Sequence, residues 1–144
     1  MIRVSSADED RRVEITLTLR RYRSKVAEYQ ACRDLYNQLF PSGTIQLTDM
    51  PKAAADTYEP ERWAQRRWDQ RDRMERSLQA MLDALDEIES VTACLEGDEK
   101  AVIVRRYFIG ETMDQVAESI GKSEQWCYNM QRKAINKIIQ EGKQ

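Results

Sequence analysis

Histidine is absent from the 144 residues, and cysteine, glycine and proline are scarce at 3, 5 and 3. Without His there is no Ser-His-Asp or Cys-His catalysis, and most zinc enzymes lose their usual ligand. Cys32, Cys94 and Cys127 are odd in number, far apart and free of any CxxC pair, so neither a zinc site nor a disulfide framework is indicated. No GxxxxGK[ST] or GxGxxG phosphate loop occurs. No metal, cofactor or catalytic residue is therefore expected, and the chain reads as a non-enzyme. No apolar run approaches the roughly 18–20 residues that span a bilayer, and the opening MIRVSSADEDRR has no apolar signal core. A soluble, cytoplasmic protein without a membrane partner is the expectation.

What is present is charge. Charged residues make up 33% of the chain, which with so little Gly and Pro points to long exposed helices rather than a β-sandwich. The net charge of −2 argues against a protein that coats nucleic acid through bulk positive charge, but the distribution is uneven. From residue 122 onward Lys122, Arg132, Lys133, Lys137 and Lys143 face only Glu124 and Glu141. Acidic residues gather earlier, at Asp83, Asp86, Glu87 and Glu89.

Ser6-Ala7-Asp8-Glu9 has the form of a capping box. After it Ile15, Leu19, Tyr22, Val26, Tyr29, Tyr36 and Phe40 recur at steps of four and three, with Arg33 as the polar break. This is one stripe of a long helix ending near Phe40-Pro41. The alternation Val13, Ile15, Leu17, Leu19 also fits a short strand, so both readings stand for those turns. Residues 41–57 hold two of the three prolines and little periodicity, and read as a loop. A second helix should start between Thr57 and Pro60 and run to about Leu95, stopping at Gly97. Its Met74, Leu78, Met81, Leu85, Ile88 and Leu95 follow a 3.5-residue repeat. Two helices of roughly 35 residues, each about 50 Å long, would pack as an antiparallel hairpin over residues 1–96. Their stripes either pack on each other or make a homodimer seam. Within RWAQRRWDQRDR, Trp63 and Trp68 alternate with arginines. Such a stretch either touches phosphates or, more commonly, covers apolar surface with Arg stems.

Residues 97–144 carry the strongest signals. Asp98 is placed to cap a helix DEKAVIVRRYFI that Gly110 ends. Thr112-Met113-Asp114-Gln115 is a capping box opening MDQVAESI, which Gly121 closes, and Ser123 caps EQWCYNMQRKAINKII. Ala117 is small where two helices must cross, and Gly121 supplies a positive-φ turn four residues later. Cys127 and Met130 then place apolar groups on the inner face of the last helix. Val116 and Ile120 complete that core, and Ile135 and Ile138 continue the face. These are the packing needs of a helix-turn-helix. With that face inward, Gln125, Trp126, Tyr128, Asn129 and Arg132 point outward. Gln and Asn suit adenine, Arg suits guanine, and Trp126 or Tyr128 suits a thymine methyl. Ser123 at the helix N-terminus, with Lys122 and Lys133, suits phosphates. Double-stranded DNA is the expected partner.

The stretch DEKAVIVRRYFIGETMDQVAESIGKSEQWCYNMQRKAINKI resembles region 4 of sigma-70-type factors. RRYFIGETMDQVAESIG is similar to that family's Arg-Tyr, Gly and second helix, and SEQWCYNMQRKAINKI is similar to its recognition helix. Trp126 stands where that helix usually has Thr or Ser, and Lys122 where an apolar residue is usual. The resemblance implies binding to a promoter element and contact with RNA polymerase. Nothing before Asp98 resembles sigma region 2, so a complete sigma factor is not implied. The whole layout, including the loop Thr48-Asp49-Met50-Pro51, is similar to small phage and prophage late-gene activators of the ArpU and RinA kind. The expectation is thus an all-α regulator of phage transcription: a hairpin over 1–96 and a helix-turn-helix domain over 97–144. A small terminase-like DNA-packaging protein and a polymerase- or sigma-binding interaction module are the alternatives.

Overall fold

Apolar residues spaced at four and three, with few glycines to interrupt them, favour helices. A computed structural model describes residues 6–41 and 59–142, and among them the chain is helical with no strand. Among the described residues five α-helices follow in order: α1 (Ser6–Leu39), α2 (Pro60–Thr92), α3 (Gly97–Ile103), α4 (Met113–Ile120) and α5 (Glu124–Glu141). A π-helical turn, Val104–Ile109, extends α3. The strand reading of residues 13–19 is overturned, because Ile15 and Leu19 are buried whereas Val13 and Leu17 are open. A helical period separates these two pairs onto different faces. The loop expected over 41–57 lies, Pro41 apart, outside the described residues, as do the Ser6 side chain of the first capping box and Lys143.

Two boundaries move. The second helix ends at Thr92, not Leu95. Thr92 is fully buried, its Oγ1 donates to the Ile88 carbonyl at 2.7 Å, and its own carbonyl accepts from Leu95 N at 3.0 Å and Lys100 Nζ at 3.2 Å. Carbonyl groups at that helix end are therefore satisfied by a turn and a lysine rather than by another helical turn. Asp98 does not cap α3. The N-cap is Glu96, whose side chain makes no capping bond, and Asp98 sits in the first turn, where its carboxylate meets the positive end of the helix dipole. The segment read as a single helix to Ile109 changes pitch at Val104, and the amides of Gly110 and Glu111 both donate to Arg105 O, at 3.1 and 3.0 Å.

The residues divide into two compact units. One holds residues up to Ser24 together with Asp83 onward; the other holds Lys25–Leu82. The division drawn from sequence fell at 96/97, so packing groups the two ends of the long helices with the C-terminal segment.

In the first unit one cluster joins Ile15 and Leu19 of α1, Ile88 of α2, Leu95, Ile103, Tyr107, and Ala134, Ile135, Ile138 and Ile139 of α5. Burying such side chains contributes about 1.5–3 kcal/mol each. Around this core Tyr22 packs on Phe108 with ring centroids 6.0 Å apart, and Arg23 donates to the Phe108 carbonyl at 3.3 Å. Gly110, at φ 90°, closes the π-helical turn directly beneath that arginine. A Cβ there would lie 2.5 Å from Arg23 Nε, so glycine serves both the left-handed backbone and the close approach.

In the second unit the two helical segments run antiparallel. Tyr36 Oη accepts from Arg67 Nε at 3.2 Å, and just past the end of α1 Phe40 packs on Trp63 at 5.0 Å. Trp63 thus covers an apolar contact, while Trp68 is 63% exposed. Arg62 and Arg71 of this stretch pair with Glu59 and Glu75 within one turn.

Candidate nucleic-acid interface

Local chemistry sets both helices of the candidate site. Thr112 Oγ1 accepts from Gln115 N at 3.3 Å, and Gln115 Oε1 accepts from Thr112 N at 2.9 Å, so the capping box expected at α4 forms. At α5, Ser123 Oγ accepts from Trp126 N at 3.1 Å. Each such cap contributes about 1 kcal/mol. Between the helices Gly121 adopts φ 77°, and its amide donates to Ala117 O at 2.9 Å. The turn is therefore tight, and its handedness favours glycine.

A second cluster holds the pair together. Val102, Met113, Val116, Ala117 and Cys127 are buried, with Ile120, Trp126 and Met130 packed against them. Burial pushes the Cys127 thiol above its ordinary range, with Glu124 adding to the effect, and burial raises Cys94 as well. Both are poor thiolates at neutral pH. Among the described residues no group of His, Cys, Asp or Glu is arranged to hold a metal ion.

The opposite face of α5 is polar and open. Gln125, Tyr128, Asn129 and Arg132 are exposed and lie within one arc of the helix, with Lys133 beside them. Gln125 Nε2 donates to Asn129 Oδ1 at 3.2 Å, which orients both amides along the helix. This open strip narrows after about two and a half turns. Arg12 of α1 hydrogen-bonds Asn136, and Ile139, one turn further, is buried in the main core. Ile139 thus narrows the strip in the second half of α5, where Asn136 and Gln140 stay exposed along one edge.

Trp126 departs from the outward position assigned to it. Its ring is half-buried against the smaller cluster, and the Lys122 ammonium lies 5.6 Å from the ring centroid. Position 126 stands a quarter-turn off the polar strip, so the indole body completes the core and the lysine covers its open face. Ser123, spent as a cap, is exposed, as are Lys122 and Lys133. The sites named from sequence thus gather around the α4–α5 turn and the first half of α5. No family model matches the chain, and no curated protein or solved structure matches it.

Two features escaped the residue-by-residue reading. Asp114 and Glu124 open α4 and α5, and the Asp114 carboxylate, as a hydrogen-bond acceptor for the protonated form and as a like charge, holds Glu124 above the usual carboxylate range. Acidic first turns are ordinary helix-dipole chemistry, so their convergence carries no signal along the chain. Arg12 is the other, 124 residues from Asn136 in sequence.

Proposed function

We propose that the chain is a sequence-specific DNA-binding regulator of transcription, in which α4, the Gly121 turn and α5 form a helix-turn-helix of sigma-region-4 type. The observation that carries this reading is the exposed strip Gln125–Asn129–Arg132 on a helix whose other face is buried. Those side chains have the bidentate donors and acceptors that read adenine and guanine edges in a major groove. Lys122, Ser123 and Lys133 flank the strip where phosphates would pass. Tyr128, 43% exposed, is available to a thymine methyl. The phage late-gene setting follows from the sequence resemblance, as does RNA polymerase as a partner. One motif of such modest charge binds weakly alone, so a second copy or polymerase supplies further affinity.

The decisive experiment titrates labelled duplexes from the protein's own promoter region against scrambled duplexes at several salt concentrations. Preference for the promoter, with affinity falling as salt rises, supports the reading. Equal binding to both duplexes, or none at low salt, refutes it.

The Asp114–Glu124 pair makes a further expectation. At neutral pH it sets negative charge beside the phosphate path. An acid whose pKa is raised by a like charge costs stability when ionised, and that cost fades as pH falls through the raised value. Protonation as pH falls through that raised value also removes negative charge from the phosphate path, so binding should tighten on acidification. Glu124→Gln should bind several-fold tighter at neutral pH and low salt, with the gap to the parent closing as the parent takes up its proton. Fluorescence anisotropy across pH would measure both curves.

A further inference from the structure

We infer that α1 carries a self-docking seam through which two copies of this chain pair antiparallel. Asp10, Val13, Leu17 and Arg20 follow one another at steps of three, four and three, the repeat of a coiled-coil seam. At 3.6 residues per turn they share an arc of about 80°, roughly opposite Ile15 and Leu19, which face the core. Val13 and Leu17 are 58% and 55% exposed, and Asp10 and Arg20 are exposed at either end. The intrachain core uses none of the four. Neighbouring Arg11 and Arg21 are paired with Glu14 and Glu87, but neither Asp10 nor Arg20 has an ion-pair partner among the described residues.

The stripe is complementary to itself in one orientation. With two α1 helices antiparallel and Val13 of one copy against Leu17 of the other, Asp10 of each copy comes opposite Arg20 of its mate. A single twofold axis then generates two apolar contacts at the centre and two opposite-charge contacts outside them. Parallel pairing would set Asp10 on Asp10 and Arg20 on Arg20, which repel. Charge therefore selects both the occupant, a second copy, and its direction.

Four residues a side bury less than the roughly 1,000 Å² of a stable complex, so the seam makes a weak, transient dimer. Two half-sites on one duplex would strengthen it by holding both copies together. That last consequence rests on the DNA-binding reading; the self-association does not.

Sedimentation of the full chain over roughly 5–500 µM at low salt tests the proposal. The unmodified protein should rise in mean mass with concentration. Leu17→Glu should remain monomeric, and Asp10→Arg and Arg20→Asp should each weaken association at least tenfold alone. Mixed one to one, the two single variants should dimerise, and the doubly exchanged chain should dimerise again by itself. Rescue on mixing requires folded chains, so misfolding cannot imitate it. A monomer at every concentration, or a dimer indifferent to Leu17→Glu, overturns the seam. Successful rescue in a protein without DNA preference would overturn the DNA-binding reading and leave the seam standing.

Discussion

A fragment cut at residue 97 should fail to fold, although the caps and the turn of the candidate interface all lie within it. Ile103, Tyr107, Ile135, Ile138 and Ile139 are buried against Ile15, Leu19, Ile88 and Leu95, none of which the fragment contains. Removing four apolar partners at about 1.5–3 kcal/mol each forfeits roughly 6–12 kcal/mol, the size of a whole domain's stability. The expected fragment has weak helical circular dichroism and no cooperative urea transition. A sharp transition with the intact chain's Trp126 emission would show that the smaller cluster suffices alone. The point-mutant counterpart is Leu19→Ala, which leaves a cavity at a position with no solvent exposure and should cost about 2–5 kcal/mol in the full chain. A Leu35→Ala control at an exposed position should change the urea midpoint little.

Asn129→Ala and Arg132→Ala should each weaken binding to the preferred duplex by about 1–3 kcal/mol, roughly 5- to 150-fold. Both side chains are exposed, so melting temperatures should stay near that of the parent. Each substitution should also relax preference at one base position, since a lost bidentate contact removes discrimination as well as affinity. Lys133→Ala should behave differently, lowering affinity for all duplexes alike and reducing the salt slope by about one. If Asn129→Ala and Arg132→Ala bind every duplex as the parent does, α5 does not read bases, and the role assigned to its polar strip fails.

Much of the candidate interface was visible in the chain because its determinants are local. The Thr112–Gln115 box, the Ser123 cap and the turn at Gly121 each involve residues within four positions of one another, and all three form as the spacing implies. Trp126 was misplaced because a helical wheel assigns a direction but not the size of the neighbouring cluster. A large indole a quarter-turn from the core reaches it where a smaller side chain would not. Asp98 was misread for a related reason. Capping depends on the backbone angle at the helix start, and that angle belongs to Glu96, after a turn that the buried Thr92 and Lys100 arrange.

Periodicity and capping chemistry alone dictated helices, their approximate ends and the polar side of α5, since hydrogen bonds and side-chain directions repeat every few residues whatever the rest of the chain does. Which apolar faces meet was decided only in three dimensions. An apolar stripe states that a face must be covered and is silent on what covers it. Packing alone assigned Ile15 and Leu19 to the core of α5, narrowed the open strip over its second half, and left Val13 and Leu17 to the solvent.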